Sequence, residues 1–352
     1  MKIHVNKKKW HFALLNGILI LLFLTCAVVF ARIAGTLDSI DAADRWRGES
    51  DMRFSQIGCF LPVDQQKSED AILQFRQTLD QKLIDASLEA PEGGSLYADA
   101  YSGSGRLTVK GDHGSADVKA IGVGGSFFLF HPLQLRSGSY ISETDLMQDR
   151  VVLDEALAWQ LFGGPDVAGM TVTIQDKPYY VAGVIRREND FASKEAYIDG
   201  AGMFLSYSAF HALTEQEITC YEIVLPDMIT GFGKSLVEDN FDVSGGDLVE
   251  NSSRYDLGSL LRVVGDFGHR SMRNNGVIYP YWENAVRLTE DYLALLLVLM
   301  ILFGICPAVC GIVLIIKALV SGWKTVKKQI PTRLLAMRER RREQKYNATM
   351  EK

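Results

Sequence analysis

IGVGGSFFLFHPLQLRSGSYISETDLMQDRVVLDEALAWQLFGGPDVAGMTVTIQDKPYYVAGVIR, residues 121–186, decides the reading of the fold. Arg150 to Leu153 is a short apolar run of strand type. Asp154 to Phe162 reads as a short helix, with Asp154 as the N-cap and Gly163 at the stop. Met170 to Gln175 and Tyr179 to Ile185 alternate as two strands around Asp176-Lys177-Pro178, a hairpin signal. Upstream, Asp117 to Val123 alternates polar and apolar residues until Gly124-Gly125 ends it. The aromatic run Ser126 to His131 continues the β character up to Pro132.

Outward on the N-terminal side, Met52 to Val63 alternates as a strand. Gln65 to Ser87 places Ile72, Phe75, Leu79, Leu83 and Ile84 at helical spacing, with Ser68, Glu69 and Asp70 marking a first turn. Gly93-Gly94 breaks that helix, and Ser95 to Tyr101 and Arg106 to Lys110 read as short strands around an SGSG turn. On the C-terminal side, Ala196 to Leu205 leads into a helix beginning SYSAFHAL. A strand at Cys220 to Leu225 and a helix at Thr230 to Asn240 follow, and Ser252 to Arg287 looks largely helical. The fold class is therefore α+β, a strand–helix–strand unit at each end of a β-rich middle.

Two runs stand apart from this body. Phe12 to Ile33 carries no charge before Arg32, and Leu293 to Ile316 carries none. Each is near or above the ~20 residues that a helix needs to cross a bilayer. The first exceeds the apolar stretch of a signal peptide and lacks a clean cleavage site, so an uncleaved anchor is expected. Residues 34–48 (AGTLDSIDAADRWRG) read as a polar, helix-compatible exit that could prolong the first span. Before Gly35 there are five Lys/Arg and no acid; from Lys317 onward there are eleven Lys/Arg and three acids. The middle holds 21 basic and 40 acidic residues, a net charge of −19. Basic flanks stay in the cytoplasm, so both termini are expected inside and the acidic body outside.

The tail from Ser321 is basic and broken at Pro331; it reads as a positive-inside flank or as a segment lying on the anionic inner leaflet. Pro307, between Gly304 and Gly311, is a candidate kink in the second span, a flexible joint or a tolerated irregularity. Gly304, Ala308 and Gly311 would admit another helix at close range.

Of five cysteines, Cys26, Cys306 and Cys310 lie in the spans. Cys59 and Cys220 lie in the outer body, where an oxidising compartment could join them or leave two buried thiols. No catalytic, cofactor-binding or metal-ligating constellation stands out. There is no HExxH, no GxSxG, no EF-hand spacing and no GxxxxGK[ST] phosphate loop. His131 beside Pro132 reads as structural, and GVGGS at 122–126 as a strand-ending turn rather than a nucleotide loop.

Residues 121–186 resemble the periplasmic core domain of MacB-like, FtsX-type ABC-transporter permeases. The resemblance rests on Phe127-Phe128, Gly138, Asp145, Val151 to Leu153, Glu155, Ala158, Leu161, Phe162, Gly163, Asp166, Gly169, Tyr180, Val181, Gly183 and Val184. Ser139 departs from it, where the family usually has Arg. Gly138, Asp145, Phe162, Gly163, Gly169 and Gly183 are packing and turn devices with no chemistry of their own.

The resemblance implies a split strand–helix–strand subdomain (about 50–104 with 201–285) carrying an inserted β-rich subdomain (105–200), the whole forming an extracytoplasmic domain, 34–291. Around it are expected a cytoplasmic N-terminus at 1–11, spans at 12–33 and 292–317 and a cytoplasmic tail at 318–352. This is a reduced, two-span form, because the family usually has four spans. The implied role is a plasma-membrane permease-like subunit that couples the outer domain to a separate ABC ATPase and to other permease subunits by conformational change. The alternative is a membrane-anchored binding or scaffold protein with no transport cycle. No enzyme activity, cofactor or nucleic-acid partner is expected.

Overall fold

The computed structural model describes residues 7–88, 90, 94–197, 202–267, 270 and 276–350, and divides into two units, Met1–Phe30 with Leu295–Lys352, and Ala31–Ala294. Among the described residues two helices are long and apolar enough to cross a membrane. The first is α1 (Lys7–Ala34). The two uncharged polar residues within its apolar run are satisfied on their own helix: Asn16 Nδ2 donates to the Phe12 carbonyl at 2.9 Å and Thr25 Oγ1 to the Leu21 carbonyl at 2.9 Å. A span leaves no other backbone partner within hydrocarbon. The second helix is the chain's last, and it runs through both Pro307 and Pro331 without interruption. The expected break at Pro331 is absent: the tail stays helical to Met350.

The outer unit runs, in chain order, α2 (Ala42–Arg47), β1 (Phe54–Phe60), α3 (Glu69–Asp85), β2 (Ala98–Gly111), β3 (Gly114–Gly125), α4 (Phe127–Phe130), β4 (Gln134–Gly138), β5 (Arg150–Asp154), α5 (Glu155–Phe162), β6 (Thr171–Ile174), β7 (Lys177–Arg186), α6 (Phe191–Ala196), β8 (Gly202–Ser206), α7 (Tyr207–Thr214), β9 (Cys220–Pro226), α8 (Phe232–Asn240), β10 (Asp247–Glu250), α9 (Leu257–Asp266) and the start of α10 (Tyr281–Met350). The first span does not continue through residues 34–48. It stops at Ala34, and a 3-10 turn at Asp38–Ile40 precedes α2.

The strands β10-β1-β9-β2 lie in that order, with β1 and β2 each antiparallel to β9, and β10 antiparallel to β1. With crossovers α3 and α8 this is the split β-α-β arrangement expected from the sequence. Helix α3 forms where the spacing requires it. Ser68 accepts from the Ala71 amide as N-cap, and Ile72, Phe75, Leu79 and Leu83 are buried. Ile84 is 65% exposed, because one residue past Leu83 turns its side chain ~100° off the stripe.

The remaining strands, β3-β8-β5-β7-β4 with β6 on β2 and β7, extend the same sheet. The boundary expected at residues 104–105 falls inside β2, so the β-rich part grows out of the sheet without a linker.

Three local expectations differ from the structure. The SGSG segment is not a turn but lies within β2. Gly103 faces Gly122 of β3, and the Phe210 ring fills the space that their side chains would take. A Cβ on Gly103 would lie 2.7 Å from the Glu217 carbonyl oxygen. The run Ser126–His131 is one turn of helix, α4, which tucks Phe127 and Phe130 under the sheet. The β6–β7 hairpin turns at Gln175 and Asp176, both at positive φ, so Lys177 and Pro178 already belong to β7.

Toward the C-terminus, the described residues of Ser252–Arg287 hold the end of the 3-10 turn Asn251–Ser253, α9 and the first turns of α10, with Gly276 at positive φ and Pro280 between the two α-helices. Gly93 of the Gly93-Gly94 break lies outside the described residues, as do 268–269 and 271–275.

Cys59 and Cys220 are both free and cannot pair. The β1–β9 register sets Cys59 opposite Tyr221 and Phe60 opposite Cys220. Successive side chains alternate between the faces of a sheet. Cys59 therefore points into the core under α3 and α8, and Cys220 into the core on the other face. Thiols on opposite faces cannot meet the geometry of a disulfide.

Gly122→Val forces the Phe210 ring out of its place, and overpacking of this kind costs ~1–3 kcal/mol. The variant should unfold at clearly lower temperature than the parent in thermal scans of the detergent-solubilised chain, whereas Gly164→Ala, with open space around it, should not.

Candidate functional site

The first turns of α10 carry the charged and aromatic residues that immediately precede the apolar run. Tyr281, Trp282, Glu283, Ala285, Val286, Thr289 and Glu290 are buried. Ala285, Val286 and Trp282 pack against the lower face of the sheet with Phe60, Ala98, Ala100, Val224, Phe127 and Phe130. Glu283 and Glu290 are seven residues apart, two turns, and so lie on one side of the helix.

Arg254, after the 3-10 turn Asn251–Ser253, stands against them. Its Nη1 and Nη2 donate to the two Glu283 carboxylate oxygens at 2.7 and 2.6 Å, and its Nε donates to Glu290 Oε1 at 2.6 Å. Arg270 also pairs with Glu290, and its Nε lies 3.1 Å from Asp291 Oδ1. Two guanidinium groups thus hold three carboxylates, and the Arg254 and Glu283 side chains are only 4% and 3% exposed. Burial alone would lower Arg254, and the facing carboxylates more than reverse it. Burial raises the Glu283 carboxyl against the pull of Arg254.

On the neighbouring flank, the Trp282 ring lies 4.5 Å from His131, whose Nε2 is 2.6 Å from Glu222 Oε2 on β9. His131 Nδ1 and Trp282 Nε1 have no hydrogen-bond partner among the described residues. Beyond them the Tyr197 ring stacks on Tyr281 at 4.2 Å, and its hydroxyl donates to Glu188 at 2.8 Å. Burial holds the Glu188 carboxyl above its ordinary value of 4.5, against the Tyr197 hydrogen bond and His131. Gln56 of β1 closes the same face from the other side: it accepts from the Ala42 amide at 2.9 Å and donates to the Ser39 carbonyl at 2.7 Å. Arg45 of α2 donates to the Leu129 and Phe130 carbonyls.

These clusters present no open nucleophile and base to a substrate, and among the described residues no three His, Cys, Asp or Glu side chains group as a metal ion would need. What they do is hold a helix. The sequence-singled residues lie elsewhere, in the part of the sheet beyond β3. Gly138, at positive φ, faces Gly183 across β4 and β7, where a Cβ on Gly183 would meet the Ser139 carbonyl at 2.5 Å. Asp145 lies 3.2 Å from Arg150. Phe162 closes α5 against the core, Gly163 caps it in the left-handed region, and the Gly169 amide donates to the Val181 carbonyl at 2.7 Å. The structure does not bring these residues to the α10 clusters. The Arg254 network went unread in the sequence. Its one local sign was the seven-residue spacing of Glu283 and Glu290 beside an apolar run, while Arg254 lies 29 residues from Glu283.

Arg254→Ala leaves Glu283 and Glu290 buried without their cation, a loss of ~3–5 kcal/mol. The variant should melt far below the parent, while Arg254→Met with Glu283→Leu and Glu290→Leu recovers most of the loss. Glu188 binds its proton more tightly folded than unfolded, so its contribution to stability is full below the usual carboxylate range and falls as pH rises through it. Glu188→Gln should flatten that fall in a series of melting temperatures against pH, with Asp190, His131 and Tyr281 left in place.

Residues 45–230 match the family model of the MacB-like periplasmic core domain. Among solved structures the chain is similar to the periplasmic region of MacB from Actinobacillus actinomycetemcomitans, at 18% identity and a TM-score of 0.41, covering 57% of this chain and 89% of that one. It is also similar to the extracellular domain of the noncanonic ABC-type transporter YknZ from Gram-positive bacteria (12% identity, TM-score 0.37, 56% and 99%). A domain of a putative permease protein from Porphyromonas gingivalis is a third such structure (17% identity, TM-score 0.33, 60% and 96%). No curated protein matches the chain. With more than half its residues inside that model and apolar helices on either side, the chain belongs to the family of the MacB-like periplasmic core domain, whose members are ABC-transporter permease components, and is a membrane protein with an extracytoplasmic domain.

Proposed function

We propose that the chain is a permease-like, non-enzymatic subunit of an ABC-transporter complex. Its outer domain is coupled to a separate cytoplasmic ATPase by conformational change, and both of its termini lie in the cytoplasm. The observation that carries this reading is the fastening of the first turns of α10 to the sheet by Arg254, Glu283 and Glu290. The helix that holds the second apolar run begins as a buried part of the outer domain, so a rearrangement of the sheet must act on it. The basic flanks and acidic middle support the orientation. Partner spans have a place to pack: an apolar groove of about 540 Å³ runs between the two span helices, lined by Phe23, Met300, Gly304, Pro307 and Ala308 among others.

Affinity capture of the tagged full chain from mild detergent should recover an ATP-binding subunit. Repeated capture without one would reject the coupled reading in favour of a membrane-anchored binding or scaffold protein. A reporter placed near residue 200 should be reached by impermeant reagents only from outside the cell.

A further inference from the structure

Helix α9 has more apolar surface than the body covers. At ~100° per residue, Val263, Leu260, Val264, Leu257 and Leu261 make a continuous apolar arc of ~160°. Leu260 and Val263, on one flank of the arc, are buried at 1% and 5% exposure. On the other flank Leu257 is 60% and Leu261 47% exposed. Phe267, at the end of the helix, is 43% exposed, and Arg262 projects on the polar side.

The level of this helix is fixed. Arg254, three residues before it, holds Glu283 and Glu290; Arg270, four residues after it, holds Glu290 and Asp291. Both ends of α9 are therefore tied to the turns of α10 that directly precede Leu293, where the uncharged run begins. Glu290 to Leu293 is a rise of ~5 Å. Tyr292, 44% exposed, stands at that junction, the place where amphipathic rings sit at a bilayer surface. The residues flanking α9 thus contact the turns of α10 that lead into the apolar run. On the exposed part of α9 a single cation, Arg262, lies between Asp256 at the N-cap and Asp266 at the last turn.

We propose that α9 is an interfacial helix that lies in the headgroup region of the outer leaflet, with Leu257 and Leu261 entering the acyl boundary and Arg262 at the phosphates. The ties of Arg254 and Arg270 to the turns that lead into the apolar run favour a lipid surface over a protein partner, and the proposal stands whether or not an ATPase is recovered with the chain.

The test uses the full chain in nanodiscs of phosphatidylcholine and phosphatidylglycerol, with Cys26, Cys306 and Cys310 replaced by Ala and the buried Cys59 and Cys220 retained. An environment-sensitive nitrobenzoxadiazole label is placed on Leu261→Cys, on Leu257→Cys and, as a control, on the exposed Asp80→Cys of α3. The expected result is a blue-shifted emission at both leucine positions that is lost on adding spin-labelled lipid, with neither effect at position 80. Water-like emission at both leucine positions overturns the proposal. So does a blue shift that spin-labelled lipid leaves untouched, because the cover is then protein.

Discussion

A guanidinium sealed from water has to be enclosed by carboxylates, and in this molecule that requirement ties the outer domain to the helix that leaves it. Arg254 meets Glu283 through both terminal nitrogens and Glu290 through Nε, and Arg270 continues the chain of charges to Asp291. Such a cluster adds little net stability over an apolar replacement; its value is that only one relative placement of its members is tolerable. The aromatic packing of Trp282, His131 and Phe127 needs that placement to exist. The cluster selects the register, and the apolar contacts supply most of the stabilisation.

The sheet shows why a fold with so few special residues can hold a helix on one face and two crossovers on the other. Strands β1, β9 and β2 are buried on both sides, with α3 and α8 above and α2, α4 and the start of α10 below. Several polar groups that cross this layer are paired. Arg76 reaches Asp99 through two hydrogen bonds of 2.8 Å, Tyr221 also donates to Asp99, and Glu222 takes His131. Beyond β3 the sheet is built differently, from close backbone approaches at Gly138 and Gly183 and from a tight turn at Gln175–Asp176.

What the sequence disclosed and what it concealed divide along a physical line. Features set within a few residues were legible: the two spans by length, α3 by its stripe, and α5 by Asp154 at one end and Gly163 at the other. The split β-α-β layout also followed, since it depends on the order of elements. Features set by a distant neighbour were not. SGSG carries every local mark of a turn, and only Phe210, more than a hundred residues on, makes it a strand. The aromatic run at 126–131 is a helical turn because Trp282 and Phe204 wait below it. The candidate disulfide failed on register, which no spacing between Cys59 and Cys220 reveals. The same limit hid the α10 clusters, whose members come from β9, α4 and the segment before α9. The glycines and Asp145 that carry the family resemblance shape the far part of the sheet, so the most recognisable residues and the helix-holding ones are different sets.

The opposed placement of Cys59 and Cys220 has a consequence for life in an oxidising compartment. Burial pushes both thiols well above their ordinary value, and the Glu222 carboxylate pushes them further, so neither offers a thiolate to a passing oxidant. The domain can reach its native state without help from disulfide-forming catalysts. Each sulfur is also a latent marker of damage: a molecule whose sheet has parted on one side would expose one thiol and not the other, and the site of modification would tell which layer came away first.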